Sequence, residues 1–145
     1  MIMNIGELFL NVMSEFYEND SRARTFGTDT ELYHSEIHML QCIAENPDLH
    51  ISGLAHLLGI TRGAVSQTAK RLERKGMIVK GTSPDNNKKV VLRLTPNGQI
   101  AATNHKNAHE KYNTLIADIL TCADAEQLQF LTDFLLRFEK SIKEN

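Results

Sequence analysis

The chain has 145 residues, two cysteines and a net charge of −2. Its length suits one domain with a buried core, and the sequence shows neither a signal-peptide pattern nor an apolar run near the roughly 20 residues of a membrane helix. We therefore expect a soluble, cytoplasmic protein. Cys42 and Cys122 have no close-spaced partners, which argues against a disulfide framework.

Two amphipathic helices are predicted first. Apolar residues recur at spacings of three and four from Ile5 to Tyr17, which indicates a helix with one apolar stripe. A second helix is predicted over residues 35–45, ended by Asn46 and Pro47. Its inward residues are Ile37, Leu40, Ile43 and Ala44. Leu49 and Ile51 then predict a short strand.

Residues 54–75 have the pattern of a helix-turn-helix. A short apolar helix reaches Leu58, Gly59 permits a tight turn, and Ile60 is predicted to return to the core. Thr61 is a suitable cap for the next helix, Arg62 to Lys75. Val65, Ala69 and Leu72 form the inner face of this helix, and Arg62, Ser66, Gln67, Lys70, Arg71 and Arg74 form its outer face.

A hairpin with a polar tip is predicted after that helix. Gly76 suits a left-handed closing residue, and extended runs follow at 77–79 and 90–94. Lys88 and Lys89 lie at the tip between them, as in a wing that follows the DNA backbone. Residues 62–93 carry nine Lys or Arg against two acids, although the whole chain is acidic. This concentrated charge favours binding of duplex DNA through one face.

The candidate DNA contacts follow from this order of elements. The first turns of a recognition helix usually enter the major groove deepest, so Arg62, Ser66 and Gln67 are expected at base edges. Phosphate contacts are expected from Lys70 and Arg71. The full candidate set is Thr61, Arg62, Gly63, Ser66, Gln67, Lys70, Arg71, Lys88 and Lys89.

The C-terminal third is predicted to be helical. Thr95 and Pro96 are a cap and a first-turn proline, and the helix they begin runs to about Leu120. A break over 121–124 precedes a last amphipathic helix. The apolar stripes at both ends of the chain favour a symmetric homodimer on a palindromic operator, with half-sites about one DNA turn apart. The alternative is a monomeric bundle that buries its own ends.

The sequence resembles the MarR family of winged helix-turn-helix regulators over nearly its full length. The residues that carry the resemblance are Leu54-Ala55, Gly59-Ile60-Thr61, Val65-Ser66, Leu72-Glu73-Arg74-Lys75-Gly76 and Leu94-Thr95-Pro96-Asn97-Gly98. The resemblance implies a mainly α single domain with a small β-wing. Dimerisation helices would occupy 1–32 and 96–145, around a winged helix at 33–95. It also implies a transcriptional repressor controlled by a small ligand or metal ion.

The wing tip departs from the family pattern. That pattern usually has Asp and Arg where this chain has Asn86, Asn87, Lys88 and Lys89. Lysine is a compact point charge without the planar fork of arginine. Phosphate contact by the lysines is therefore expected here rather than insertion into the minor groove.

Three histidines are candidate metal ligands. His105 and His109 are four residues apart on one predicted helix, and His38 lies on the second helix between His34 and Cys42. Helical i, i+4 spacing can direct two imidazoles to one zinc ion. The alternative is that these histidines only pack or hydrogen-bond.

The zinc-dependent branch of the family, typified by the adhesin competence regulator, has histidines at corresponding positions. This resemblance implies zinc ligation by His38, His105 and His109, with an acid from the first helix. That acid would be Asp20, with Glu18 as the near alternative.

Other classes of function are less consistent with the sequence. An enzyme is disfavoured because the chain has no Gly-rich phosphate loop and no nucleophile elbow. A redox sensor through Cys42 or Cys122 is an alternative, although neither has a basic neighbour at helical spacing. A winged helix that binds a partner protein is the main rival to DNA binding.

Overall fold

The computed structural model describes residues 4–145 and is mainly α-helical with one small β-hairpin, as the sequence predicts. Its elements are α1 (Ile5–Asp20), α2 (His34–Glu45), α3 (Ile51–Leu58), α4 (Arg62–Arg74), β1 (Ile78–Thr82), β2 (Val90–Leu94), α5 (Pro96–Leu120) and α6 (Ala125–Glu144). No helix in this described part is long and apolar enough to cross a membrane.

The chain forms two compact units, Met1–Asn107 and Ala108–Asn145, and the boundary falls inside α5. The core of the first unit is built from α2, α3, α4, the hairpin and the start of α5. Its fully enclosed apolar side chains include Leu32, Ile37, Leu40, Leu54, Val65, Leu72, Met77, Ile78 and Leu92. Neither α1 nor α6 contributes a buried residue.

The helix-turn-helix forms as predicted, with one exception. Gly59 adopts a left-handed conformation with φ of 66°, and the Thr61 Oγ1 accepts a hydrogen bond of 3.1 Å from the Ala64 N–H. The prediction that Ile60 returns to the core is wrong, because its side chain is 43% exposed. Leu54, in the preceding helix, is buried.

The hairpin is antiparallel, with Ile78 opposite Leu94 and Thr82 opposite Val90. Its first strand begins and ends later than the predicted run 77–79. The predicted strand at Leu49 and Ile51 is wrong: Ile51 begins α3, and only an isolated bridge joins His50 to Val91. An alternation of only two apolar residues is too short a pattern to identify a strand, and a helix begins here instead.

The first turn of α5 is fastened to the end of α4. Thr95 Oγ1 donates to the Gly76 carbonyl at 2.6 Å and accepts from the Gly98 N–H at 3.1 Å, and the Thr95 N–H donates to the Met77 carbonyl at 3.0 Å. A Cβ at Gly98 would overlap the Met77 carbonyl, so only glycine fits there. The cap at Thr95 is therefore confirmed, and it also fixes α5 against the helix-turn-helix.

Candidate functional site

A basic surface extends from α4 to the wing. Arg62, Gln67 and Lys70 are exposed on α4, whereas Ser66 is half-buried. Thr61 caps this helix, and the exposed Gly63 follows at its second position. A recess between the two elements is lined by His50, Ile51, Ser52, Arg62, Lys88, Lys89 and Val90. We call it the basic recess. It places the first residue of α4 beside both wing lysines.

Arg71 lies in a different environment from the other candidate contacts. Its Nε is 3.3 Å from Glu36 Oε1 on α2, and one of its terminal nitrogens donates to Thr68 Oγ1 at 3.0 Å. Glu36 is completely buried, and its other carboxylate oxygen accepts a 2.8 Å bond from Lys75 Nζ. Glu36 and Lys75 were not predicted to take part in the site, because they are far apart in the sequence and no local pattern indicates their contact.

Asp20, His38 and His105 form a second polar cluster. One potential ligand atom from each lies within 4.8 Å of the others, and His38 Nε2 is 3.6 Å from Asp20 Oδ2. His105 is 5% exposed. His109 follows His105 by one turn of α5, and Glu18 is not one of the potential ligands.

The loop before α2 covers His105. The rings of Phe26 and His105 meet edge to face with centroids 5.8 Å apart. Phe26 has a positive φ of 47°, which is unusual for a residue with a side chain, and its carbonyl accepts a 2.8 Å bond from Asn104 Nδ2. Phe26 was not predicted as part of this site, because no helical spacing connects it to His105.

The donor set of the cluster suits a zinc-type ion. Zinc in proteins binds imidazole nitrogen and carboxylate oxygen at about 2.0–2.2 Å, so two ligand atoms of a tetrahedral site lie about 3.3 Å apart. The 3.6 Å between His38 Nε2 and Asp20 Oδ2 is close to that spacing.

The cysteines lie outside this group of potential ligands. Partial burial, and secondarily the negative charge of Glu45, raise the pKa of the Cys42 thiol. Cys122 is exposed, and its Sγ donates to the Ile119 carbonyl at 3.3 Å. A raised pKa disfavours the thiolate that a redox sensor at Cys42 would need.

The comparison with protein families identifies the central part of the chain. The family described as "MarR family" matches residues 32–90, which include α2, the helix-turn-helix and most of the hairpin. This segment, which folds as a winged helix-turn-helix, is similar to the MarR family. The segment contains every candidate DNA contact, together with His38 of the polar cluster.

A curated relative is described as a helix-turn-helix regulator. The uncharacterized HTH-type transcriptional regulator YhjH of Bacillus subtilis is 32% identical over 85 residues, which are 59% of this chain and 49% of the relative. The chain thus spans about half the length of such curated relatives.

Solved structures share the MarR fold over almost the whole chain. Streptococcus pneumoniae FabT, solved in complex with DNA, has a TM-score of 0.71 at 24% identity, covering 97% of this chain and 93% of its own. ZitR of Lactococcus lactis, described as a zinc-responsive MarR family member, has a TM-score of 0.76 at 21% identity, covering 98% and 99%. At these identities the likeness establishes the fold.

Proposed function

We propose that the protein is a homodimeric transcriptional regulator, a repressor, that binds double-stranded DNA in a sequence-specific way and responds to a zinc-type ion. The observation that carries the DNA-binding part is the basic recess, where Arg62 of α4 and Lys88 and Lys89 of the wing line one surface. Three cations from two elements can neutralise neighbouring phosphates while the exposed Gln67 reaches base edges. FabT, which has the same fold, was solved bound to DNA.

The exposed apolar side chains of the terminal helices support a dimer. On α1 and α6 they include Ile5, Leu8, Leu10, Val12, Met13, Phe16, Phe130, Phe134, Leu135, Leu136 and Ile142. Two helices without a single buried residue require a partner surface, and a second copy of the chain supplies one with closed symmetry. Such a dimer presents two α4 helices to one palindromic duplex.

The polar cluster supports control by a metal ion. Asp20, His38 and His105 would hold the ion, and His109 would complete the set because it follows His105 by one helical turn. His38 lies on α2, which contacts α4 through Glu36, and His105 lies on α5, whose first turn is bonded to Gly76 at the end of α4. An ion that binds one arrangement of these helices more tightly than another increases the fraction of molecules in that arrangement, and so changes how many are able to bind DNA.

Selection from a random duplex pool tests the proposed DNA binding. The full chain is incubated with zinc chloride and a pool of random 30-bp duplexes, and the bound fraction is sequenced over several rounds. We expect enrichment of a palindrome whose half-sites are about one helical turn apart. The matched control is Arg62→Ala, which should enrich the palindrome less. A pool that stays random for the wild-type chain would contradict the proposal and favour a winged helix that binds a partner protein.

A further inference from the structure

His34 lies beside the proposed metal site, outside the group of four potential ligands. It is the first residue of α2, one turn before His38. Its Nδ1 is 3.6 Å from Asp20 Oδ2, the same oxygen that lies 3.6 Å from His38 Nε2. The two imidazole rings are 4.0 Å apart between centroids. One oxygen of Asp20 thus lies between two imidazole rings, and only the ring of His38 is among the potential metal ligands.

The environment of the His34 ring holds Nδ1 toward that carboxylate. The Nδ1 atom is buried and makes no hydrogen bond within residues 4–145. The ring packs edge to face against Tyr17 on α1, with centroids 6.2 Å apart, while the side chain as a whole remains 36% exposed. A buried ring nitrogen this close to a carboxylate oxygen needs only a small shift to donate to it.

We propose that His34 is a positioning residue that acts on the metal through Asp20. Its Nδ1–H donates to the Asp20 carboxylate and fixes the direction in which that carboxylate faces the ion. Carboxylates that bind metals in proteins are themselves hydrogen-bonded, and loss of such a partner typically lowers metal affinity 10- to 100-fold. This inference rests on the zinc-type site proposed above.

The test measures zinc affinity by competition with a chelator of known affinity, using the full chain. His34→Leu removes the donor, whereas His34→Asn restores an N–H at a position close to that of imidazole Nδ1. We expect His34→Leu to bind zinc 10- to 100-fold more weakly and His34→Asn to stay within about threefold of wild type. Glu18→Gln, an exposed acid on α1 outside the group, is the matched control and should change nothing.

Two further measurements separate positioning from direct ligation and from misfolding. The visible absorption of the cobalt-loaded protein reports coordination, and it should keep the wild-type shape in saturated His34→Leu. In a double variant with Asp20→Asn, the His34→Leu change should have no additional effect on zinc affinity, because its only route is through Asp20. If His34→Leu acts through misfolding, it should lower zinc affinity both in the wild type and in Asp20→Asn. That result would overturn the inference.

The outcomes distinguish this inference from the proposed function. Wild-type protein that binds no zinc contradicts the metal site itself. If the wild type binds zinc, Asp20→Asn binds it weakly and His34→Leu binds it as tightly as the wild type, only the role of His34 is contradicted. A changed cobalt spectrum in His34→Leu, with no rescue by His34→Asn, would make His34 a ligand and overturn its role as a positioning residue.

Discussion

Glu36 Oε2 on α2 lies 2.8 Å from Lys75 Nζ at the end of α4, although the two residues are 39 positions apart in the sequence. The carboxylate is fully buried, and its other oxygen lies 3.3 Å from Arg71 Nε. Because buried charges are stable only when they are paired, this contact fixes α4 against α2, the helix that carries His38.

The first prediction concerns this contact. Glu36→Gln should lower the free energy of unfolding by about 1–3 kcal/mol, because it weakens the three hydrogen bonds that the buried carboxylate accepts from Arg71, Lys75 and the Tyr33 N–H. It should also weaken the effect of zinc on DNA affinity, since α2 and α4 are less firmly joined. Urea denaturation measures the first effect and fluorescence anisotropy with duplex DNA the second.

The matched control is Glu45→Gln, at the end of the same helix, where the carboxylate accepts from Gln41 at the surface. That change should alter stability by less than about 0.5 kcal/mol. Equal unfolding midpoints for the two variants would show that the buried ion pair does not join the helices.

The second prediction concerns base recognition by α4. Gln67→Ala should reduce the preference for the selected operator over scrambled duplex by about 1–3 kcal/mol, because one base contact is lost while the phosphate contacts remain. Titration of both duplexes at one salt concentration gives the ratio. Gln99→Ala, exposed near the start of α5, serves as the control. If Gln67→Ala retains the wild-type ratio, Gln67 does not read a base.

The third prediction concerns the wing. Replacing Lys88 and Lys89 together by Ala should weaken binding to all duplexes alike and reduce the slope of log affinity against log salt by about 0.9 for each lost phosphate contact. Folding should be unaffected, since both side chains are exposed near the tip. Lys140→Ala on α6 removes a comparable exposed charge as a control. An unchanged slope in the double variant would place the wing outside the DNA interface.

The fourth prediction concerns the redox alternative. Because burial raises the pKa of the Cys42 thiol, the thiol should stay protonated at neutral pH. The pH at which its alkylation reaches half of the maximal rate should therefore lie above the usual pKa of a thiol. Mass spectrometry after timed alkylation follows the reaction. Peroxide should leave the DNA affinity of the wild type equal to that of Cys42→Ser. Rapid alkylation at pH 7, with a loss of DNA affinity absent from the variant, would support the redox sensor.

Local chemistry made much of the fold predictable. The glycines at 59 and 76 and the caps at Thr61 and Thr95 act within one turn of the backbone, so their roles can be read from the neighbouring residues. Ile60 was wrongly placed because its burial depends on which distant side chains fill the core. The strand at Leu49 and Ile51 was wrong because an alternation of two apolar residues is too short a pattern to identify a strand.

For the candidate metal site, the ligands could be predicted but the residues that surround them could not. Helical spacing joined His105 to His109, and the resemblance to a zinc-dependent branch of the family added His38 and Asp20. The approach of His34 to Asp20 and the cover that Phe26 gives His105 arise from tertiary packing. Periodicity along one helix carries no information about such contacts.

The most direct test of metal-controlled DNA binding is the affinity of the purified protein for its selected operator, measured by anisotropy with saturating zinc and again in a metal chelator. We expect the two affinities of the wild type to differ tenfold or more. The affinity of His109→Ala should be the same with zinc and with chelator, and this variant should remain dimeric. The control is His56→Ala, at an exposed histidine on α3, which should keep the wild-type response to zinc. Equal wild-type affinities with zinc and with chelator, together with no zinc uptake at micromolar concentration, would contradict metal control.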